Sequence, residues 1–116
     1  MQKQAAILEN DLSTFKINSN LDVEDSVYIA RILFDYVEQG KLTFELSSKK
    51  GSVVSEFIVS VIGGVFSNIL YDLAKKIYNK LKEEKQIGKI VKPVYIFLPD
   101  KQYIITGDES DKLPEK

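Results

Sequence analysis

The sequence predicts an α+β fold: a two-layer sandwich in which a mixed four-stranded sheet carries two helices on one face. Three observations lead there. Two segments that alternate apolar and polar residues flank one with a helical stripe. A longer apolar segment with four-residue spacing follows, and the chain then returns in a short apolar hairpin. The resulting order, β-α-β-α-β-β, is satisfied most economically by two layers. The 116 residues fit one domain with a single core. Residues 1–11 read as a loose lead-in and 12–107 as the domain. Residues 108–116, acidic and without aromatics, read as a disordered tail.

Leu12 to Asn18 alternates, with Phe15 and Ile17 on one face and Thr14 and Lys16 on the other, until Asn18-Ser19-Asn20 breaks it. Asp22 reads as an N-cap, with Glu24 and Asp25 in the first turn where the helix dipole favours anions. That helix runs to about Glu38, with Val23, Val27, Ala30, Leu33, Phe34 and Val37 along one side and Ile29, Ile32 and Tyr36 widening that stripe. Gly40 supplies its stop. Lys41 to Ser48 alternates again, Leu42, Phe44 and Leu46 against Thr43, Glu45 and Ser47. Together these elements predict a β-α-β unit with its two strands parallel. Near the end, Pro93 to Leu98 reads as a strand apolar on both faces. Pro99-Asp100 reads as a type I turn, and Gln102 to Thr106 as the returning strand.

Between these parts lies Gly51 to Lys85, which reads as one long helix ended by Gln86-Ile87-Gly88. Apolar pairs recur every four positions: Val53/Val54, Phe57/Ile58, Val61/Ile62, Val65/Phe66 and Ile69/Leu70. A strict four-residue repeat drifts about 40° per step around a helix of 3.6 residues per turn. Three arrangements would bury such a seam: a bend at Gly63-Gly64, a clasp from two sides, or lipid. Ser60, Gly63, Gly64 and Ser67 form two overlapping small-xxx-small pairs, a ridge that lets another backbone approach closely. These four residues are the expected interaction site, for a protein partner or a second copy of the chain. The bland reading makes them a thin edge facing water. The alternative function is a membrane-associated effector that inserts Val53–Tyr71. Its uncharged run, Phe57 to Tyr71, spans only roughly 22 Å against a hydrocarbon layer of ~30 Å.

Composition narrows the chemistry. There is no cysteine and no histidine, which removes disulfides, thiolate nucleophiles, the commonest metal ligand and the commonest general base. Ser52 and Ser67 lack both a base and a nucleophile elbow. A helix start explains Asp22, Glu24 and Asp25 better than a cation does, and Asp108, Glu109 and Asp111 lack calcium-loop spacing. Gly63-Gly64 belongs to no G-x-G-x-x-G. Tyr95, Phe97 and Tyr103 suit either strand packing or a binding face. The net charge is −1, yet residues 47–92 hold most of the lysines, including Lys75, Lys76, Lys80, Lys82, Lys85, Lys89 and Lys92. That basic helix end suits the C-terminal dipole, and its lack of arginine speaks against nucleic acid. The expectation is a non-enzymatic, cofactor-free, cytoplasmic binding protein, since no basic and apolar leader precedes it.

The order of elements, the glycine-containing segment VVSEFIVSVIGGVFSNILYDLAKKIYNKLK with its basic end, and the hairpin VYIFLPDKQYIIT resemble one known family. It is the effector-associated constant component domains of prokaryotic conflict systems. The resemblance covers about residues 12–107 and rests on Val53/Val54, Gly63-Gly64, the basic run after Leu73 and Leu98-Pro99-Asp100. This chain has lysines where that family usually has arginines, and Lys101 where it often has glycine. The resemblance implies an adaptor that couples a sensor or NTPase module to an effector in bacterial immunity, and it carries over no catalytic residue.

Overall fold

The computed structural model describes residues 12–19, 23–48 and 55–115. The elements are β1 (Leu12–Ser19), α1 (Val23–Glu38), β2 (Leu42–Ser48), β3 (Ser55–Ile62), a 3-10 turn (Gly63–Val65), α2 (Phe66–Gln86), β4 (Val94–Phe97) and β5 (Gln102–Ile105). The expected lead-in and the Asp22 N-cap lie outside the described residues.

The α+β class stands, but the sheet has five strands, not four, and its neighbours are antiparallel throughout in the order β2-β3-β1-β4-β5. β1 and β2 do run in the same direction, since each is antiparallel to β3, which lies between them. Strands β1 to β4 with the two helices thus have the β-α-β-β-α-β connectivity of split β-α-β, ferredoxin-like folds. β5 adds an edge strand.

The extra strand comes out of the predicted long helix. Ser55–Ile62 is β3, Gly63–Val65 turns the chain, and only Phe66–Gln86 is helical. A spacing of four is close to one helical turn but is also two strand periods, so the apolar pairs fit both. The finer alternation decides: Phe57, Val59 and Val61 are buried, while Glu56, Ile58 and Ser60 are only partly covered and Ile62 is exposed. β-branched residues at positions 58, 59, 61 and 62 favour the extended chain. Gly63, at φ +77°, makes the reversal that other residues adopt only with strain. No span Val53–Tyr71 exists as a helix, and no helix among the described residues is long and apolar enough to cross a membrane.

Both helices pack on the sheet face that carries Phe15, Ile17, Leu42, Phe57, Val59, Val61, Val94, Ile96 and Ile105. α1 contributes Ile29, Ile32, Leu33 and Tyr36, and α2 contributes Ile69, Leu70, Leu73, Ala74, Ile77 and Leu81. Each such large side chain stabilises by roughly 1.5–3 kcal/mol on burial. The Phe15 and Phe66 rings meet edge to face at 5.9 Å. Lys80 lies 5.0 Å from the Tyr28 ring centre and Lys76 lies 4.8 Å from that of Tyr36, so the helices run side by side and antiparallel. Both helices stop as their glycines predict. Gly40 and Gly88 have positive φ, Lys41 N–H donates to the Tyr36 carbonyl, and Lys89 N–H donates to that of Glu84.

Residues 108–115 are not the disordered tail that their composition predicts. The Asp111 carboxylate accepts hydrogen bonds from the backbone N–H groups of Thr106 and Gly107, each at 2.8 Å, and from the Thr106 hydroxyl at 2.6 Å. Asp108 pairs with Lys85 at 2.7 Å, and Pro114 is buried. The segment therefore doubles back along α2, tied by a carboxylate that composition alone counts as disorder-promoting.

Candidate interaction surfaces

The four residues expected to form a helical ridge lie on three different elements. Ser60 is on β3, between Thr14 of β1 and Thr43 of β2, on the sheet face away from the helices. Gly63 and Gly64 are in the exposed turn, and Ser67 is in the first turn of α2. A Cβ at either glycine would meet nothing within 4 Å, so neither serves a close backbone approach within the chain. That role falls to Gly107, where a Cβ would lie 2.8 Å from Lys82 N and 2.9 Å from the Leu81 carbonyl carbon. The ridge expectation is therefore corrected. Its four-residue spacing is real, but Ser60 lies in extended chain, Gly63 and Gly64 in a turn, and only Ser67 in an α-helix.

Ser67 instead borders an open groove of about 560 Å³ with Phe66, Leu70, Leu98, Lys101, Tyr103 and the C-terminal segment. The Lys101 ammonium lies 5.7 Å from the Tyr103 ring centre, and that neighbour raises its pKa above the usual lysine value. Tyr95 and Phe97 lie on the other face of the sheet, their rings stacked 6.0 Å apart at 19°. The three aromatic residues of the hairpin thus do not form one binding face. Among the described residues no group of three or more acidic side chains is arranged to hold a metal ion. Asp22 lies outside the described residues, as do the side chains of Glu24 and Asp25.

The most distinctive surface is at β2, the outer strand on the α1 side. Ile62 N–H donates to the Lys41 carbonyl at 3.0 Å. Antiparallel alternation then turns the backbone groups of residues 43, 45 and 47 toward β3 and those of Leu42, Phe44 and Leu46 outward. Edge strands are commonly guarded by lysine, proline or a bulge. β2, LTFELSS, has one charge, Glu45, and no proline. Above it stands an apolar shelf. Phe34 of α1 meets Phe44 edge to face at 5.2 Å yet stays 55 % exposed, Leu46 is 59 % exposed, and Val27 is also exposed. Ala30 and Val37, half-buried, complete the flank of α1.

Spacing marked Val27 and Phe34 as part of the covered side of α1, but burial centres on Ile29, Ile32, Leu33 and Tyr36 and leaves both exposed; Leu46 lies on the apolar face of β2 as expected, yet is exposed too. What spacing lacked was the strand order. With β2 inside the sheet, those side chains would be buried; with β2 at the edge, they face outward. A second exposed apolar point is the loop after α2, where Ile87 and Ile90 are 70 % and 98 % exposed.

No family model matches the chain, and neither the curated proteins nor the solved structures contain a match.

Proposed function

We propose that this chain is a non-enzymatic interaction module that works through the β2 edge and the adjoining flank of α1. One observation carries the reading: outward backbone groups at Leu42, Phe44 and Leu46 lie beside exposed Phe34, Leu46 and Val27, with a single charge on the strand. Such an edge offers hydrogen bonds for strand addition, and the shelf offers pockets that select side chains. The resemblance of residues 12–107 to effector-associated constant component domains gives this module a setting. It is a cytoplasmic adaptor in a bacterial conflict system, joining a sensor or NTPase component to an effector. Catalysis has no part in the reading, because histidine and cysteine are absent from the chain.

The test is co-expression of the chain with the products of its flanking genes, followed by co-purification. The expected result is a stable complex with an NTPase or effector product that Phe34→Asp or Leu46→Lys abolishes while circular dichroism stays unchanged. A complex indifferent to both substitutions overturns the assignment of this surface. Absence of any complex with the flanking products overturns the adaptor role.

A further inference from the structure

We infer that the β2 edge binds a second copy of this chain, by antiparallel pairing about a two-fold axis through Phe44, to give one continuous ten-stranded sheet. The inference rests on the proposed use of the β2 edge and names what covers that edge when the chain is alone, a contact that a heterologous partner would displace. An isologous edge contact requires the strand to be complementary to itself. With Phe44 opposite Phe44 of the second copy, Leu42 faces Leu46 and Leu46 faces Leu42. Every apolar residue on the helix side of β2 then meets an apolar partner. On the other side, Thr43 faces Glu45, Lys41 faces Ser47, and no like charges stand opposite one another.

The hydrogen-bond phase agrees with the same axis. Leu42, Phe44 and Leu46 are the residues whose N–H and C=O groups point outward, and they are the ones this register joins. About six backbone hydrogen bonds result, two for each of three residue pairs. Sliding the axis by one residue to Glu45 keeps the hydrogen-bond phase, joining Phe44 to Leu46, but it sets the two carboxylates directly opposite in a non-hydrogen-bonded pair, where side chains lie closest. The exposed Phe34 side chains of the two copies then close over the seam, which accounts for an aromatic residue left 55 % exposed on the flank of a helix. One strand edge and one helix flank make a small interface, so the association is expected at roughly micromolar concentrations.

Sedimentation equilibrium of the full chain, joined to amide hydrogen exchange at two protein concentrations, tests this. The expected result is a dimer at about 100 µM that dissociates on dilution. The amides of Leu42, Phe44 and Leu46 should be protected at least tenfold more in the dimer, while those of Thr43, Glu45 and Ser47 stay unchanged. Leu46→Lys, at an exposed position, should give a folded monomer; Leu46→Pro, which removes only an outward N–H, should do the same if the lysine variant is poorly folded. A wild-type chain that stays monomeric at that concentration overturns the inference, as does a dimer whose three amides exchange at the monomer rate. A monomer that still needs Phe34 and Leu46 to capture a flanking gene product sinks the second copy but leaves the interaction module standing.

Discussion

Three glycine-to-alanine substitutions should separate three kinds of glycine, and Gly107→Ala is the decisive one. Gly107 sits at φ +87°, where an L-residue costs ~1–2 kcal/mol. Its new Cβ would also press on backbone, 2.8 Å from Lys82 N and 2.9 Å from the Leu81 carbonyl carbon, and neither atom can rotate away. Forcing an extra carbon into packed structure costs ~1–3 kcal/mol, so the total is roughly 2–5 kcal/mol. For a domain of this size that lowers Tm by roughly 8–20 °C. Gly63→Ala meets the same conformational penalty at φ +77° but has open space around it, so it should cost only ~1–2 kcal/mol. Gly64, with negative φ and nothing near, should tolerate alanine and gain up to about 1 kcal/mol from a stiffer unfolded chain. Urea denaturation with constant m-value reads all three. If Gly64→Ala costs more than Gly107→Ala, a neighbouring backbone does lie against Gly64, and the reasoning from this fold is wrong.

Phe57→Ala, which empties a fully covered site between Ile17 and Phe44, should cost ~3–5 kcal/mol in the same denaturation assay. Asp111→Ala removes the acceptor of three hydrogen bonds. It should cost ~1–3 kcal/mol and expose residues 107–115 to limited proteolysis, while the five-stranded sheet persists by circular dichroism. Acid should act on the same segment through Asp108, whose carboxyl Lys85 holds below its ordinary 3.8 by hydrogen bond and charge. A carboxylate with a lowered folded pKa stabilises fully above its unfolded value and loses that contribution as pH falls through the folded one. The Asp108–Lys85 link should therefore be constant from pH 5 to 8 and fade below about 3.8, and Lys85→Gln should move the Asp108 transition back up toward the ordinary carboxylate value in an NMR titration.

The residues that made the sequence legible were those whose signals are local. Gly40 ended α1, Phe15 and Ile17 marked one face of β1, and Val94 and Ile96 marked one face of β4; each agrees with the burial found. Phe57 to Ile62 misled because the segment carries two periods at once. Choosing between them depends on a non-local fact: β1 needs a partner, and Phe15 and Ile17 find it in Val59 and Phe57. Tertiary pairing overrode a local pattern. The error then spread to the site, because a ridge of Ser60, Gly63, Gly64 and Ser67 exists only if the chain there is helical. Phe34 and Leu46 were invisible as a surface for a related reason. Apolar faces can be read from spacing, but whether an element lies at the edge is decided by strand order. Asp111 escaped notice because a carboxylate four and five residues from the N–H groups it caps looks, in composition, like any other acidic residue.

The position of β1 has a consequence for how the chain acquires its structure. β1 is the centre of the described sheet, yet both of its partners, β3 and β4, come later in the chain. Lys16 is aligned with Ile58 on one side and with Phe97 on the other, so the second pairing must close a loop of about 80 residues. The hairpins β2-β3 and β4-β5 join sequence neighbours and can form early, whereas β1 must wait with both edges open until each hairpin arrives. During synthesis β1 keeps one edge unpaired until β4 has emerged, which makes it the strand most in need of protection before folding is complete.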